Sequence, residues 1–368
     1  MNKIALYTKN FDWILFSAIL LLVSFGLAEI YSVALGKGGA DLNFFKKQVI
    51  FVLIGLVLFF ILAFFDYNNF RSFSGYLYFI GIISLVAVLL FGRTVRGTTG
   101  WFGVGGFGFQ PVEFVKFVLI VFLARYFSAY SIKVNQYKHL LLSGIGSLVF
   151  IFMVLKQPDF GSALILFALW GGMIFFAGFD KKFLFSMIAV LVTVFLVGWF
   201  FLFKDYQKQR LMTFFRPTQE NNLKEGYNIT QAIIAVGSGQ LFGRGIGFGS
   251  QSQLKFLPEA QNDFIFAVIS EELGFLGVSL VLLFFLIIFT RLLLATQKIN
   301  NDFGVYFLLG ASLLVFIEMF VNIGMNIGLL PVVGISLPFL SYGGSAIIST
   351  LVIMGVAENI IIKSRIKY

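Results

Sequence analysis

The stretch Trp13-Ile14-Leu15-Phe16-Ser17-Ala18-Ile19-Leu20-Leu21-Leu22-Val23-Ser24-Phe25-Gly26-Leu27-Ala28-Glu29-Ile30-Tyr31-Ser32-Val33 is an apolar run of 21 residues, longer than the roughly 18 that mark a membrane-crossing helix. Lys3 and Lys9 precede it and the small residues Ser32-Val33-Ala34 close it, as in a secretion signal. The run outlasts a cleavable apolar core, so it reads as an uncleaved first span. Nine similar runs follow, near 49–65, 73–91, 111–127, 140–155, 161–179, 183–203, 263–289, 303–329 and 337–362. At ~1.5 Å per residue such runs suit a hydrocarbon layer of ~30 Å. The fold class is therefore an all-α polytopic membrane protein of about ten helices, with residues 1–368 forming one membrane domain and no internal repeat.

Composition agrees. Hydrophobic residues make up 59% of the 368 and charged residues 12%, about half the share usual in soluble domains. Lys+Arg 27 against Asp+Glu 17 gives +10, an excess that in such a chain belongs to loops and lipid headgroups and implies no nucleic-acid partner. With no Cys and the single His139, disulfides, thiolate nucleophiles and His-cluster metal centres are excluded. Chemistry must rest on carboxylates, Lys, Arg, hydroxyls or a carboxylate-held cation.

An even number of spans puts both termini on one side, and Lys3, Lys9, Arg71, Arg125, Lys133, Lys138, Lys181, Lys182, Arg291, Lys298, Lys363, Arg365 and Lys367 share it. The positive-inside rule makes that side cytoplasmic. The long loop of about 204–262 is then external. Within it, Ile229, Ile233 and Val236 at helical spacing predict a short interfacial or re-entrant helix over 228–241. The glycine run from Gly243 to Gly249 reads as a tightly turned loop; it has neither the Walker pattern nor the strand-helix context of a dinucleotide fingerprint.

Charges at membrane depth cost about 2.5 to 3.5 kcal/mol each on insertion scales, so each demands a partner, a wet cavity or a function. Glu113 and Lys116, three apart behind Pro111, share one helix face and form either a self-neutralising packing pair or a functional one. Asp159 suits the cap of the next helix and leaves Lys156 to face an anion. Pro258 opens a predicted helix that sets Glu259 and Asp263 one turn apart, with Ala267, Ser270 and Gly274 following Asp263 as a stripe that borders a cavity or admits close contact. Glu271, Glu272, Glu318 and Glu358 lack obvious partners and read as structural or loop-facing. The external half thus gathers Glu113, Lys116, Lys156, Asp159, Arg216, Arg244, Lys255, Glu259 and Asp263. A carboxylate base beside cations suits glycosyl transfer from a lipid diphosphate.

Four segments carry a resemblance: Gln110 to Lys116, Lys156 to Ala163, Phe256 to Phe266 and Leu337 to Ser345. In order and spacing they resemble the SEDS family (shape, elongation, division and sporulation), which contains RodA and FtsW, over essentially the whole chain. The resemblance implies a peptidoglycan glycosyltransferase that polymerises lipid II, extending a lipid-linked glycan strand on the outer face of the bacterial cytoplasmic membrane, beside a class B penicillin-binding protein. It places the catalytic aspartate at Asp263, with Glu113, Lys116, Lys156 and Asp159 in a polar central cavity and Ser341 and Tyr342 of the last segment at the substrate. The implied cofactor is at most a divalent cation, Mg or Mn, with no nucleotide, flavin or haem. Two departures stand out: Gly100 precedes Trp101 where the family often has Arg, and Gln261-Asn262 replaces a His-Thr pair. Anion binding then falls to Arg93, Arg96 or Arg244. Gly249 to Pro258 and Leu330 to Gly334 look more like RodA, whereas Asn262 and Asn322 to Asn326 are similar to FtsW. A precursor flippase or ion-coupled carrier, and a non-enzymatic scaffold, are the competing classes.

Overall fold

The computed structural model describes residues 3–36, 42–95, 97–104, 107–130, 135–183, 225–254 and 256–366, with 185, 189 and 208. Its elements are α1 (Lys3–Asn10), α2 (Trp13–Gly36), α3 (Leu42–Phe64), α4 (Tyr67–Ser72), α5 (Ser74–Phe91), β1 (Arg93–Val95), β2 (Thr98–Val104), β3 (Phe107–Phe109), α6 (Pro111–Ala129), α7 (Gln136–Lys156), α8 (Phe160–Phe176), α9 (Glu225–Ser238), α10 (Ser250–Gln253), α11 (Ile265–Thr296), α12 (Asp302–Asn326) and α13 (Gly344–Arg365). Among the described residues seven helices are long and apolar enough to cross a membrane: α2, α3, α5, α7, α11, α12 and α13. α6 also packs in the bundle, its composition made more polar by Glu113, Lys116 and Arg125. Nine of the ten expected spans coincide with helices, and 183–203 lies almost wholly outside the described residues.

Local chemistry sets several helix starts. Asp66, Asn135, Asp159 and Asn301 each accept a backbone N–H from the first turn of α4, α7, α8 and α12, and Pro111 takes the first position of α6. The last span starts later than the sequence suggests. Residues 337–343 form a connection, with Phe339 at φ +67, and the helix begins only at Gly344.

A three-stranded antiparallel sheet, ordered β1-β2-β3, fills the α5–α6 connection, pairing Phe102 with Phe109 and Gly103 with Gly108. It adds to the expected all-α plan. Its sequence, Gly-rich and without sustained alternation, gives no strand signal. The Thr99 N–H donates to the Gln157 carbonyl (3.2 Å), so the sheet lies on the α7–α8 turn.

The helices pack closely where small residues allow it. On α13, a Cβ at Gly355 would stand 2.6 Å from the Phe59 carbonyl oxygen of α3, which fixes that contact at backbone distance. α11 bends at Gly274 (φ 66), where the chain from Leu241 to Gly243 lies against it. Of the stripe Ala267, Ser270, Gly274, the last two serve close backbone approach, Ser270 against Gly239 and Gly274 against Leu241 to Gly243.

At one end of the bundle the buried carboxylate of Asp12 binds Arg291 at 2.6 Å and Arg365 at 2.5 Å, and the Asp12 N–H donates to Glu358 (2.6 Å). Nearby, Lys363 pairs with Asp66 at 2.5 Å. Burial alone would raise the Asp66 carboxyl, but Lys363 and the Asn68 N–H outweigh it and hold the group below its ordinary range. The N-terminal region, the α3–α4 turn, the end of α11 and the end of α13 thus share one side, as the Lys/Arg distribution requires.

Candidate active site

At the opposite end, four connections are stitched together by hydrogen bonds. The Gln110 N–H before α6 donates to Ser345 Oγ at the start of α13 (2.9 Å), and Gln110 Nε2 donates to Asp159 Oδ2 (3.2 Å). Ser341 Oγ donates to the Asn262 carbonyl (2.7 Å) and the Tyr342 N–H to that of Gln261 (2.8 Å). The chain leading into α11 is thereby bound to the α12–α13 connection.

Asp263 sits in this knot, half-buried in the turn before α11. Asn322 and Asn326, one turn apart on α12, both point their amides at it, each Nδ2 donating to the Asp263 carbonyl at 3.0 Å. Asn322 Nδ2 also donates to the Ile335 carbonyl (2.7 Å), and Asn326 Oδ1 accepts the Ala267 N–H (3.1 Å). Both asparagines are fully buried. The carboxylate oxygen Oδ2 lies against Gly334, where even an added Cβ would come no nearer than 3.7 Å. The backbone of Asp263 is fixed by two side chains of α12 while its own side chain meets a residue without one.

The expected helix from Pro258 is corrected. Residues 257–264 are turns and α11 begins at Ile265. Glu259 has φ +56, a left-handed conformation that breaks helical continuity; its Oε2 accepts from Asn262 Nδ2 at 2.6 Å. Glu259 and Asp263 are therefore not successive positions on one helix face.

Glu113 and Lys116 do share a face of α6, and a third group joins them. Lys116 Nζ lies 2.7 Å from Glu113 and 2.6 Å from Glu318 of α12, all three buried. Glu318, read from sequence as lacking an obvious partner, is half of this link; its signal was only that an acid in an apolar helix must be neutralised by something. One ammonium between two carboxylates ties α6 to α12, with Glu318 lying one turn before Asn322.

Asp159 caps α8 as expected, accepting from the Ser162 N–H (3.0 Å) and Ser162 Oγ (2.8 Å). Lys156 is exposed, with its ammonium 5.1 Å from the Phe152 ring centre and no carboxylate partner among the described residues. Ser341 spends its hydroxyl on backbone, donating to Asn262 and accepting the Leu337 N–H (2.8 Å). Burial pushes the Tyr342 phenol above its ordinary range. Arg244 is held away in the glycine loop, Nη1 to Ser250 Oγ (3.0 Å) and N–H to the Glu271 carbonyl (3.0 Å). Arg93 lies over Gly103 of the sheet. Lys255, Arg96 and Arg216 lie outside the described residues. At Gly100 a Cβ would stand 3.2 Å from Gln157 Oε1, so Gln157 occupies the direction a larger residue would take. Among the described residues no three His, Asp or Glu side chains form a ready metal cluster.

The FtsW/RodA/SpoVE profile, described as a cell cycle protein family, matches residues 12–366. The chain belongs to that family. Peptidoglycan glycosyltransferase MrdB of Escherichia coli K12 is 37% identical to it over 98% of this chain and 96% of MrdB. Stage V sporulation protein E of Bacillus subtilis is 35% identical, covering 95% of this chain and 96% of its own. Among solved structures, one described as a peptidoglycan synthase complex coordinating polymerization and crosslinking aligns with a TM-score of 0.81 and 27% identity, covering 96% of this chain and 98% of that one. RodA of Thermus thermophilus aligns at 0.71 with 26% identity, covering 97% and 98%. The leaning toward RodA fits these relatives, and a family member of this kind is a polytopic helical membrane protein.

Proposed function

We propose that this protein is a peptidoglycan glycosyltransferase that polymerises lipid II on the outer face of the cytoplasmic membrane, with Asp263 as general base. The observation that carries the assignment is the double clamp of Asn322 and Asn326 on the Asp263 backbone. Such a clamp fixes the backbone from which the carboxylate projects. The names of the relatives and of the synthase complex support the reaction class.

In this reading Asp263 takes the proton of the acceptor sugar hydroxyl as its oxygen attacks the anomeric carbon of the lipid-diphosphate donor. The C–O bond forms with inversion, the bond to the diphosphate breaks, and no covalent enzyme intermediate is needed. Lys156, exposed and without a carboxylate partner among the described residues, neutralises the negative leaving group in this reading. The Glu113–Lys116–Glu318 link has its cation already shared by two acids and acts as the support under Asn322. Among the described residues no cluster of carboxylates stands ready for a divalent cation, so an ion of that kind would come with the substrate diphosphate and supply charge neutralisation there.

The outward orientation rests on the Lys/Arg asymmetry, and the partner is a class B penicillin-binding protein that crosslinks the nascent strand. The deciding experiment is to purify the chain with and without such a partner, supply lipid II and resolve the products by size. Glycan polymer from the preparation supports an enzyme; lipid II translocated across proteoliposomes without polymer would make it a flippase.

A further inference from the structure

Glu29 lies about 25 Å along α2 from Asp12, is 1% exposed, and neither of its carboxylate oxygens accepts from an N–H or hydroxyl donor. It faces another carboxylate, Glu272 of α11, which is fully buried. Glu272 is well supplied with donors: Ser32 Oγ at 2.6 and 2.9 Å, Ser252 Oγ at 3.2 Å, Gln253 Nε2 at 3.0 Å and the Gly247 N–H at 3.0 Å. Those four donors occupy its acceptor positions. Glu29 has none. Two carboxyl groups in contact away from water do not both carry charge unless something positive joins them.

A single shared proton gives Glu29 one bond and leaves its second oxygen orphaned. A cation engages both oxygens and neutralises both groups. We propose that Glu29 and Glu272 hold a hard divalent cation, of the Mg, Ca or Mn class, at the junction of α2, α10 and α11. No third carboxylate or imidazole among the described residues joins them in a metal cluster, so the remaining ligands are neutral oxygens: the Ser32 hydroxyl and carbonyl, the Ser252 hydroxyl, and water. An all-oxygen shell with two carboxylates suits a hard ion and not a thiolate or imidazole metal. Gln253 already crosses this junction, bonding Ser32 and Glu272 together, and three residues on the chain enters the segment that leads to Asp263. The ion would pin the external loop to α2 and α11. The site is separate from Asp263 and does not depend on Asp263 being the base.

The test uses the full chain in detergent, stripped with a chelator and titrated with Mn²⁺ followed by electron paramagnetic resonance, with Ca²⁺ and Mg²⁺ as competitors. The expected result is one saturable Mn²⁺ per chain and a thermal midpoint that rises as metal is added. Glu29→Gln should weaken binding by at least about tenfold, and Asp263→Asn should retain it, which separates this ion from one recruited at the reaction site. Should Glu29→Gln fail to fold, Ser252→Ala replaces it, with weakened Mn²⁺ binding expected. Absence of saturable Mn²⁺ in the wild type overturns the proposal, as does loss of the ion in Asp263→Asn or unchanged affinity in Glu29→Gln. A wild type that ignores metal but loses stability as pH rises, with Glu29→Gln insensitive, would assign the pair a shared proton instead.

Discussion

Asn322 reaches from the buried face of α12 to the backbone carbonyl of Asp263, 3.0 Å away, and with the same amide to the carbonyl of Ile335 at 2.7 Å. One side chain thus sets the spacing between the proposed base and the chain that carries Gly334 in front of it. Asn326 repeats the contact to Asp263 one turn later.

Removing that amide should unseat the site before it unfolds the protein. Asn322→Ala takes the amide donor from the buried Ile335 carbonyl, at about 1 to 3 kcal/mol, and leaves the Asp263 carbonyl to Asn326 alone, so the thermal midpoint should drop and polymer yield should fall further than the lost folded fraction explains. Asn326→Ala should act in the same direction. Size-resolved products from lipid II, set against melting curves of the same preparations, check this.

Lys116 predicts a stability effect with a defined rescue. Lys116→Met strips the shared cation from Glu113 and Glu318 and leaves two buried carboxylates together, a loss of about 3 to 5 kcal/mol for a broken buried pair. Adding Glu113→Gln and Glu318→Gln to the same chain should recover much of the melting temperature, because the uncompensated charge is gone. A triple variant no more stable than Lys116→Met would show that packing, not charge, governs the site.

The two ends of the bundle should differ in accessibility. A thiol at Phe242, 77% exposed in the loop before Gly243, should react with a membrane-impermeant reagent from outside intact cells. One at Lys182, whose side chain is 63% exposed, should react only after permeabilisation. The reverse pattern would place Asp263 inside, where no lipid II polymer could be laid down.

Much of the architecture was legible because lipid imposes one rule, long apolar runs closed by charges or glycine, and the seven helices long and apolar enough to cross a membrane obey it. The Asp159 cap and the Glu113–Lys116 face were legible too, since each depends on residues three apart. The small sheet at 93–109 was not: its pairing joins Gly-rich segments with no alternation, and its docking depends on a bond from Thr99 to Gln157, far along the chain. Glu318 and Glu272 were named in the sequence as acids without partners, because their partners come from other helices and only packing brings them together. The helix start placed at Pro258 failed for a local reason, the left-handed backbone at Glu259, which sequence does not disclose at a glutamate. Asn322 and Asn326 stood out in sequence only as part of a resemblance, and their shared target became visible with the fold.

The most direct measurement of the central claim is the polymerisation rate of Asp263→Asn, nearly isosteric and without basicity. Its carbonyl is still available to Asn322 and Asn326, so expression, melting temperature and partner binding should match the wild type while the rate falls by about 10²- to 10⁴-fold, the usual contribution of a general base. A purified Asp263→Asn chain that makes glycan strands at the wild-type rate would contradict the assignment of Asp263 as the base.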